Sequence, residues 1–263
     1  MVKYKGHFKN ENYDIDIDII NSECGNSPIS FEVEGVSFIG DIISFELETP
    51  EKYDISKLPF TILKCGGVTL TSQDGEEYRS NYTYYLQQYE FEVNIPITVI
   101  HIQDQKDMNA YIFLKYSVRS RTNEDNNYDP IVMCDEERVS PDICIVTEFS
   151  LNIGKEVIYG EKTSDFETAL LSINRQLFDR FELRCCFTCQ FSEYSPYGNS
   201  EFGCMLCYGK HKEKYIDLNV QDKLYSYLCD LSGEPEHENK QEIQLCDNYA
   251  PRTRYGGYRG YAK

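Results

Sequence analysis

The sequence predicts a mainly β fold, α+β overall: an antiparallel β-sandwich or barrel, then one amphipathic helix, then a small module organised by cysteines. Three observations carry this. Short segments with alternating apolar and polar residues recur through the first 160 positions, one later segment changes to a helical period, and two C-x2-C pairs stand beyond it.

The clearest alternation is Tyr13-Asp-Ile-Asp-Ile-Asp-Ile-Ile20. Tyr13, Ile15, Ile17 and Ile19 fall on one face, and Asp14, Asp16 and Asp18 on the other. The three aspartates resemble the opening of a calcium loop, but Ile19 stands where that loop needs glycine, so they read as a solvated strand face. Further strands are expected at Phe31 to Phe38 with a break at Gly35, Ile43 to Glu48, Thr61 to Lys64, Tyr82 to Leu86 and Tyr89 to Ile95. Pro96 has no amide hydrogen to donate and is expected to limit that ladder before Ile97 to Ile102. Tyr111 to Val118, Cys144 to Ile153 and Val157 to Tyr159 complete the set. With no helices between them, these strands favour an antiparallel arrangement over a doubly wound sheet.

At Ser164-Asp-Phe-Glu167 the spacing is that of a capping box, and Phe166, Ala169, Leu170, Ile173 and Leu177 recur as one helical stripe. A helix over about 165–180 follows. The organisation is therefore a β domain over 1–160, a connecting helix over 161–182, and a module over 183–263 that ends in a tail rich in Tyr, Gly and Arg.

Cys186-Phe-Thr-Cys189 and Cys204-Met-Leu-Cys207, fourteen residues apart, have the spacing of a four-thiolate zinc site. Two intervening residues allow a tight turn that brings both sulfurs onto one tetrahedral ion, and Gly209 supplies a positive φ after the second pair. A zinc-ribbon-like module with structural Zn2+ on Cys186, Cys189, Cys204 and Cys207 is the expectation. A single iron, an iron–sulfur cluster and a redox dithiol are the alternatives. Cys246 is either an outer neighbour of the metal or a replacement for one of the four. Cys185 could compete with Cys186 as a ligand but reads as a packed or exposed free thiol, His211 as a solvated loop residue, and Cys24, Cys65, Cys134, Cys144 and Cys229 as small buried hydrophobes.

The run Cys186-x2-Cys189, Tyr194-Ser-Pro-Tyr-Gly-Asn199, Phe202-Gly-x-Met-x-Cys207, Cys246-Asp247, Pro251-Arg252 and Gly257-Tyr-Arg-Gly260 resembles the C-terminal signature of an uncharacterised bacterial family. The resemblance covers roughly the last third of the chain. It implies a bacterial source, an intact metal module and a place for Cys246 near it, but no activity.

Function is constrained mostly by exclusion. Four thiolates leave zinc no open position for a substrate. Glu236-His237-Glu238 has the wrong order for a zinc deaminase, Gly203 to Lys210 has the wrong spacing for a phosphate loop, and no G-x-S-x-G elbow is present. Lys+Arg 26 against Asp+Glu 44 leaves a net charge of −18, which repels nucleic acid and anionic membranes and suits a basic partner. The start, MVKYKGHFKN, has no apolar leader region, and no apolar run is long enough to span a bilayer. The expectation is a cytoplasmic, non-enzymatic protein that binds a basic protein partner, such as an immunity or inhibitor protein, with Asp14, Asp16 and Asp18 as the candidate contact face. A nucleic-acid role through Arg252, Arg254, Arg259 and Lys263 is the first alternative. An enzyme with an active site in the β domain is the second.

Overall fold

The computed structural model of the chain describes residues 1–22, 29–41, 44–66, 69–71, 77–79, 82–120, 143–163, 166–177, 179–194, 202, 205–217 and 237–252. Its strands are β1 (Val2–Lys9), β2 (Asp14–Asn21), β3 (Ile29–Val33), β4 (Val36–Gly40), β5 (Phe45–Leu47), β6 (Thr61–Gly66), β7 (Thr69–Thr71), β8 (Glu77–Arg79), β9 (Tyr82–Gln87), β10 (Tyr89–His101), β11 (Lys106–Ser120), β12 (Ile143–Ile153) and β13 (Glu156–Tyr159). Helix α1 (Phe166–Gln176) and strands β14 (Phe181–Leu183), β15 (Ser192–Glu193) and β16 (Met205–Cys207) follow, then helix α2 (Lys212–Asp217) and strand β17 (Glu238–Lys240).

The fold is mainly β and antiparallel. A single sheet runs in the order β13-β12-β11-β10-β1-β2-β3-β4-β5-β9-β6, and β14 adds to β10. It curls as a half-barrel, so two separate facing layers, the sandwich form of the expectation, are replaced by one curved sheet. Its inner face is paved with rings. Phe8, Phe31, Phe38, Phe45, Phe60, Tyr89 and Phe91 are all buried, with neighbouring ring centroids from 4.8 to 6.2 Å apart. Each such ring removes a large apolar area from water, and edge-to-face contacts such as Phe31 on Phe45 add to it.

Strand β2 has the alternation of its sequence, with Ile17 and Ile19 buried and Asp14, Asp16 and Asp18 exposed, which bears out the strand reading over the calcium loop. Strands β3 and β4 join through Glu34 and Gly35, whose φ values of 49° and 80° are those of a two-residue hairpin turn. Strand β1 carries no marked expectation, yet it is central. Gly6 interrupts its inner face because a Cβ there would lie 2.2 Å from Ile19 Cδ1 and 2.6 Å from the Glu92 carbonyl oxygen.

Pro96 does not divide β10, which runs unbroken from Tyr89 to His101. The reason lies in its neighbours. β1 pairs with residues 90–93 of this strand and β14 with residues 99–101, so Pro96 sits in the gap where no strand on that side requires its missing amide hydrogen. A cleft of about 520 Å³ opens beside the gap, lined by Tyr4, Pro96, Thr98, Tyr111, Gln241 and Leu245 among others.

Helix α1 buries Phe166, Ala169, Leu170 and Ile173, with Leu177 just beyond, which is the expected stripe. Phe166 meets Phe149 of β12 edge-on at 5.1 Å. The helix stops at Gln176, short of 180, because Asp179 takes φ 68° and the chain turns into β14. Ser164 and Asp165 of the capping box lie outside the described residues. The apolar core continues past this point without a break: Cys185, Phe187, Tyr194, Phe202, Met205 and Ile243 join the sheet core. A satellite cluster of Cys189, Phe191, Tyr208 and Tyr215 lies beside it.

Candidate functional site: the cysteine cleft and the C-terminal strap

Residues 241–252 form an irregular strap that returns across the segment after β14. Four backbone hydrogen bonds hold it: Cys186 N–H to Gln244 O (2.8 Å), Phe187 N–H to Glu242 O (2.9 Å), Gln190 N–H to Ala250 O (2.9 Å) and Arg252 N–H to Thr188 O (2.9 Å). Side chains complete the attachment. The amides of Asn21 and Gln241 exchange hydrogen bonds of 2.8 and 2.7 Å across 220 positions of sequence. Tyr249 donates to Glu182 at 2.5 Å, and Tyr194 to Glu242 at 2.8 Å.

Arg252 is the pivot of the strap. It is 5% exposed and forms a buried ion pair with Glu193 at 2.8 Å, while its second terminal nitrogen donates to the carbonyls of Cys189 (3.0 Å) and Ser192. The Tyr215 hydroxyl adds a 3.3 Å hydrogen bond to Glu193, and the Tyr215 ring stacks on Tyr208 at 4.6 Å. Burial, and the Glu193 charge after it, raise the Tyr215 phenol above the usual range. An arginine so enclosed is unable to reach a phosphate backbone. The nucleic-acid reading thus loses Arg252, while Arg254, Arg259 and Lys263 lie outside the described residues.

The strap and β16 bound a cleft of about 170 Å³ lined by Cys186, Cys207, Cys246, Lys210, Glu238 and Lys240, among others. Three of the cysteines singled out by sequence therefore meet at one opening. Cys189 closes the tight turn that starts at Cys186, with its amide donating to the Cys186 carbonyl at 3.1 Å. Cys186 and Cys207 form a hydrogen-bonded pair in which the proton stays on Cys186: that bond and burial push its thiol up. The same bond brings Cys207 down to about 6, aided by the Gly209 amide and the charge of Lys240 against the opposing effect of burial. Burial also raises Cys189. Lys210 and Lys240 both pair with Glu238, the latter at 3.5 Å.

Some sequence expectations need correction. Gly209 does not adopt a positive φ; it opens a 3-10 turn, and a Cβ there would meet Cys207 Sγ at 3.4 Å and Asn248 at 3.5 Å, ordinary contact distances. Cys65 is buried and disulfide-bonded, not a plain buried thiol. Cys185 is a fully buried free thiol beside Thr188 at 3.9 Å, pushed up to about 11 by burial, and His211 is exposed. Cys24, Cys134, Cys204 and Cys229 lie outside the described residues. Among the described residues, no group of three or more His, Cys, Asp or Glu side chains stands ready to hold a metal ion. The donor chemistry still fits zinc, because the cleft offers soft thiol ligands. Cys186, Cys189 and Cys207 would hold it, and the ion would supply cross-links between the first tight turn and β16.

A family model described as a family of unknown function (DUF6304) matches residues 2–192. The chain belongs to the DUF6304 family. The DUF6304 match covers the half-barrel, α1 and the first C-x2-C pair, but not Cys204, Cys207 or Cys246, whereas the resemblance drawn from sequence lay on the last third. No curated protein and no solved structure is significantly similar to this DUF6304 chain.

The outer face of the half-barrel carries a second candidate surface. Asp16, His7, Glu92, Lys115 and Glu148 stand in one row across five adjacent strands, so charge alternates along it. Lys115 bonds Glu90 at 2.8 Å and Glu92 at 3.1 Å, His7 bonds Asp14 at 2.8 Å and Asp16 at 3.0 Å, Lys9 bonds Asp14 at 2.7 Å, and Lys5 pairs with Asp18. The hydrogen bond to Asp16, with further help from Asp14, raises the His7 imidazole above its ordinary value despite partial burial. Asp14, Asp16 and Asp18 are thus solvated as expected, but their charge is compensated by β1. Glu32 of β3, Glu46 of β5 and Glu48 just beyond β5 have no ion-pair partner among the described residues. Glu46 pairs in register with Tyr85, and burial raises its carboxyl.

Proposed function

We propose that this protein works by binding a basic protein partner and not by turning over a substrate. It is read as a bacterial, cytoplasmic protein in which structural Zn2+ on Cys186, Cys189, Cys204 and Cys207 fixes the C-terminal module. An immunity or inhibitor protein that covers a basic toxin or nuclease is the kind of molecule this describes.

The observation that carries the reading is the uncompensated acid of β3 to β5. Among the described residues Glu32, Glu46 and Glu48 have no ion-pair partner, Glu46 lies in register with Tyr85, and tyrosine is enriched where protein interfaces bury rings. By contrast, Asp14, Asp16 and Asp18 already have cationic neighbours, so a basic partner gains little there. The cleft of about 520 Å³ beside Pro96 has no carboxylate, imidazole or thiol in its lining and so gives the enzyme alternative no support. Free thiols at Cys185, Cys186, Cys189, Cys207 and Cys246 support a reducing cytoplasm, although the disulfide at Cys65 fits an oxidising compartment better. Among the described residues, no helix is long and apolar enough to cross a membrane.

Binding of a lysine-rich peptide across a salt series tests the reading. Affinity should fall as ionic strength rises, disappear in the triple Glu32→Lys, Glu46→Lys, Glu48→Lys variant, and change little in Asp16→Lys. Salt-independent binding, or preference for a single-stranded RNA over the peptide, contradicts it.

A further inference from the structure

We infer that the metal site is completed by Cys246 of the strap, giving the set Cys186, Cys189, Cys207 and Cys246 with Cys204 dispensable. The inference rests on the zinc reading above and changes its ligands.

Cys186, Cys207 and Cys246 line one opening of about 170 Å³, and Cys189 sits on the same tight turn as Cys186. Cys246 is brought there by bonds on both sides: Gln244 accepts from the Cys186 amide at 2.8 Å, and the Tyr249 amide donates to the Cys246 carbonyl at 3.1 Å. Farther along, the Cys189–Pro251 bridge and the buried Arg252–Glu193 pair anchor the strap beside the first turn. None of these ties involves the metal, so the strap holds its cysteine next to Cys186 independently of any ion.

Charge supports the same set. Four thiolates on a dication carry an excess of two negative charges, and Lys210 and Lys240 on the walls of this opening, with the Glu238 carboxylate they share, leave one net positive charge against it. Gly209 brings its amide toward the Cys207 sulfur. Among the described residues no three of these side chains stand close enough to hold an ion, so binding requires the four sulfurs to converge. Metal and strap would then stabilise one another, because each fixes a position that the other needs.

Full-length protein with Cys204→Ser, Cys246→Ser and Cys246→His separates the possibilities, using zinc content and the thiolate-to-metal absorption of the cobalt(II)-loaded chain. The expected result is one zinc per chain and an unchanged band in Cys204→Ser. Cys246→Ser should lose at least tenfold in zinc affinity and part of the band. Cys246→His should keep its zinc with a shifted spectrum, which shows that the ligand and not the fold was lost. Retention of affinity and band in Cys246→Ser, or their loss in Cys204→Ser, overturns the assignment of Cys246 while leaving the zinc reading in place. A wild-type chain that binds neither zinc nor cobalt overturns both.

Discussion

The half-barrel and the C-terminal segment are built on different principles although they share a core. In the half-barrel, each strand is specified locally by alternation, and neighbours in sequence are mostly neighbours in space, as from β1 through β5 and from β10 through β13. The C-terminal segment has strands of only two or three residues, and its strongest ties join distant positions: Asn21 with Gln241, Glu182 with Tyr249, Glu193 with Arg252. The first region depends on buried rings. The second depends on a few polar partners that must all be present, because a buried charge or amide without its partner costs more than the pair contributes.

Phe91→Ala should give the largest effect. Phe91 is fully buried between Phe31 and Phe45, and its loss should cost about 3–5 kcal/mol of global stability, seen as a lowered denaturation midpoint for both regions together. A comparable cost confined to the C-terminal segment would break the comparison. Arg252→Ala should act in the opposite way. Leaving Glu193 charged inside the protein should cost about 3 kcal/mol, read by hydrogen exchange as loss of protection over 184–194 and 238–252 with β1 to β5 unchanged. Gly6→Ala is smaller, about 1–3 kcal/mol, since Ile19 can rotate away but the Glu92 carbonyl on β10 cannot. Its effect should appear as slackened protection of β1 and β10 alone.

The smallest effect is that of His7. Its folded pKa lies above the unfolded value of about 6.5, so the stability it contributes is complete below that value and disappears as pH rises through the folded pKa. His7→Gln should therefore cost about 0.5 kcal/mol near pH 5.5 and nothing near pH 9, in paired denaturation curves. An NMR titration should place the imidazole above its ordinary pKa.

The same contrast explains what the sequence made legible. Strand β2 and helix α1 follow from period alone, because each buries one face and needs only its own residues to say which. Strand β1 escaped because Gly6 occupies an inner position where apolar size would announce a strand, and only the approach of Ile19 explains the choice. Pro96 was misread for a nonlocal reason: whether a missing donor matters depends on which strands flank β10 at that point. C-x2-C spacing singled out Cys186, Cys189, Cys204 and Cys207, of which Cys186 and Cys207 line the cleft and Cys204 lies outside the described residues, but the meeting with Cys246 depends on a strap held by bonds that no spacing encodes. Arg252 stood in a basic tail, and its burial required Glu193, fifty-nine positions away.

The central claim is that the C-terminal segment, and not the half-barrel, depends on metal and strap. Native-state hydrogen exchange of the full-length protein, measured with and without a zinc chelator, tests it most directly. Loss of protection over 184–194, 205–217 and 238–252, with the amides of β1, β2, β10 and β11 unchanged, is the predicted result. Equal loss across both regions, or no change in either, would contradict it.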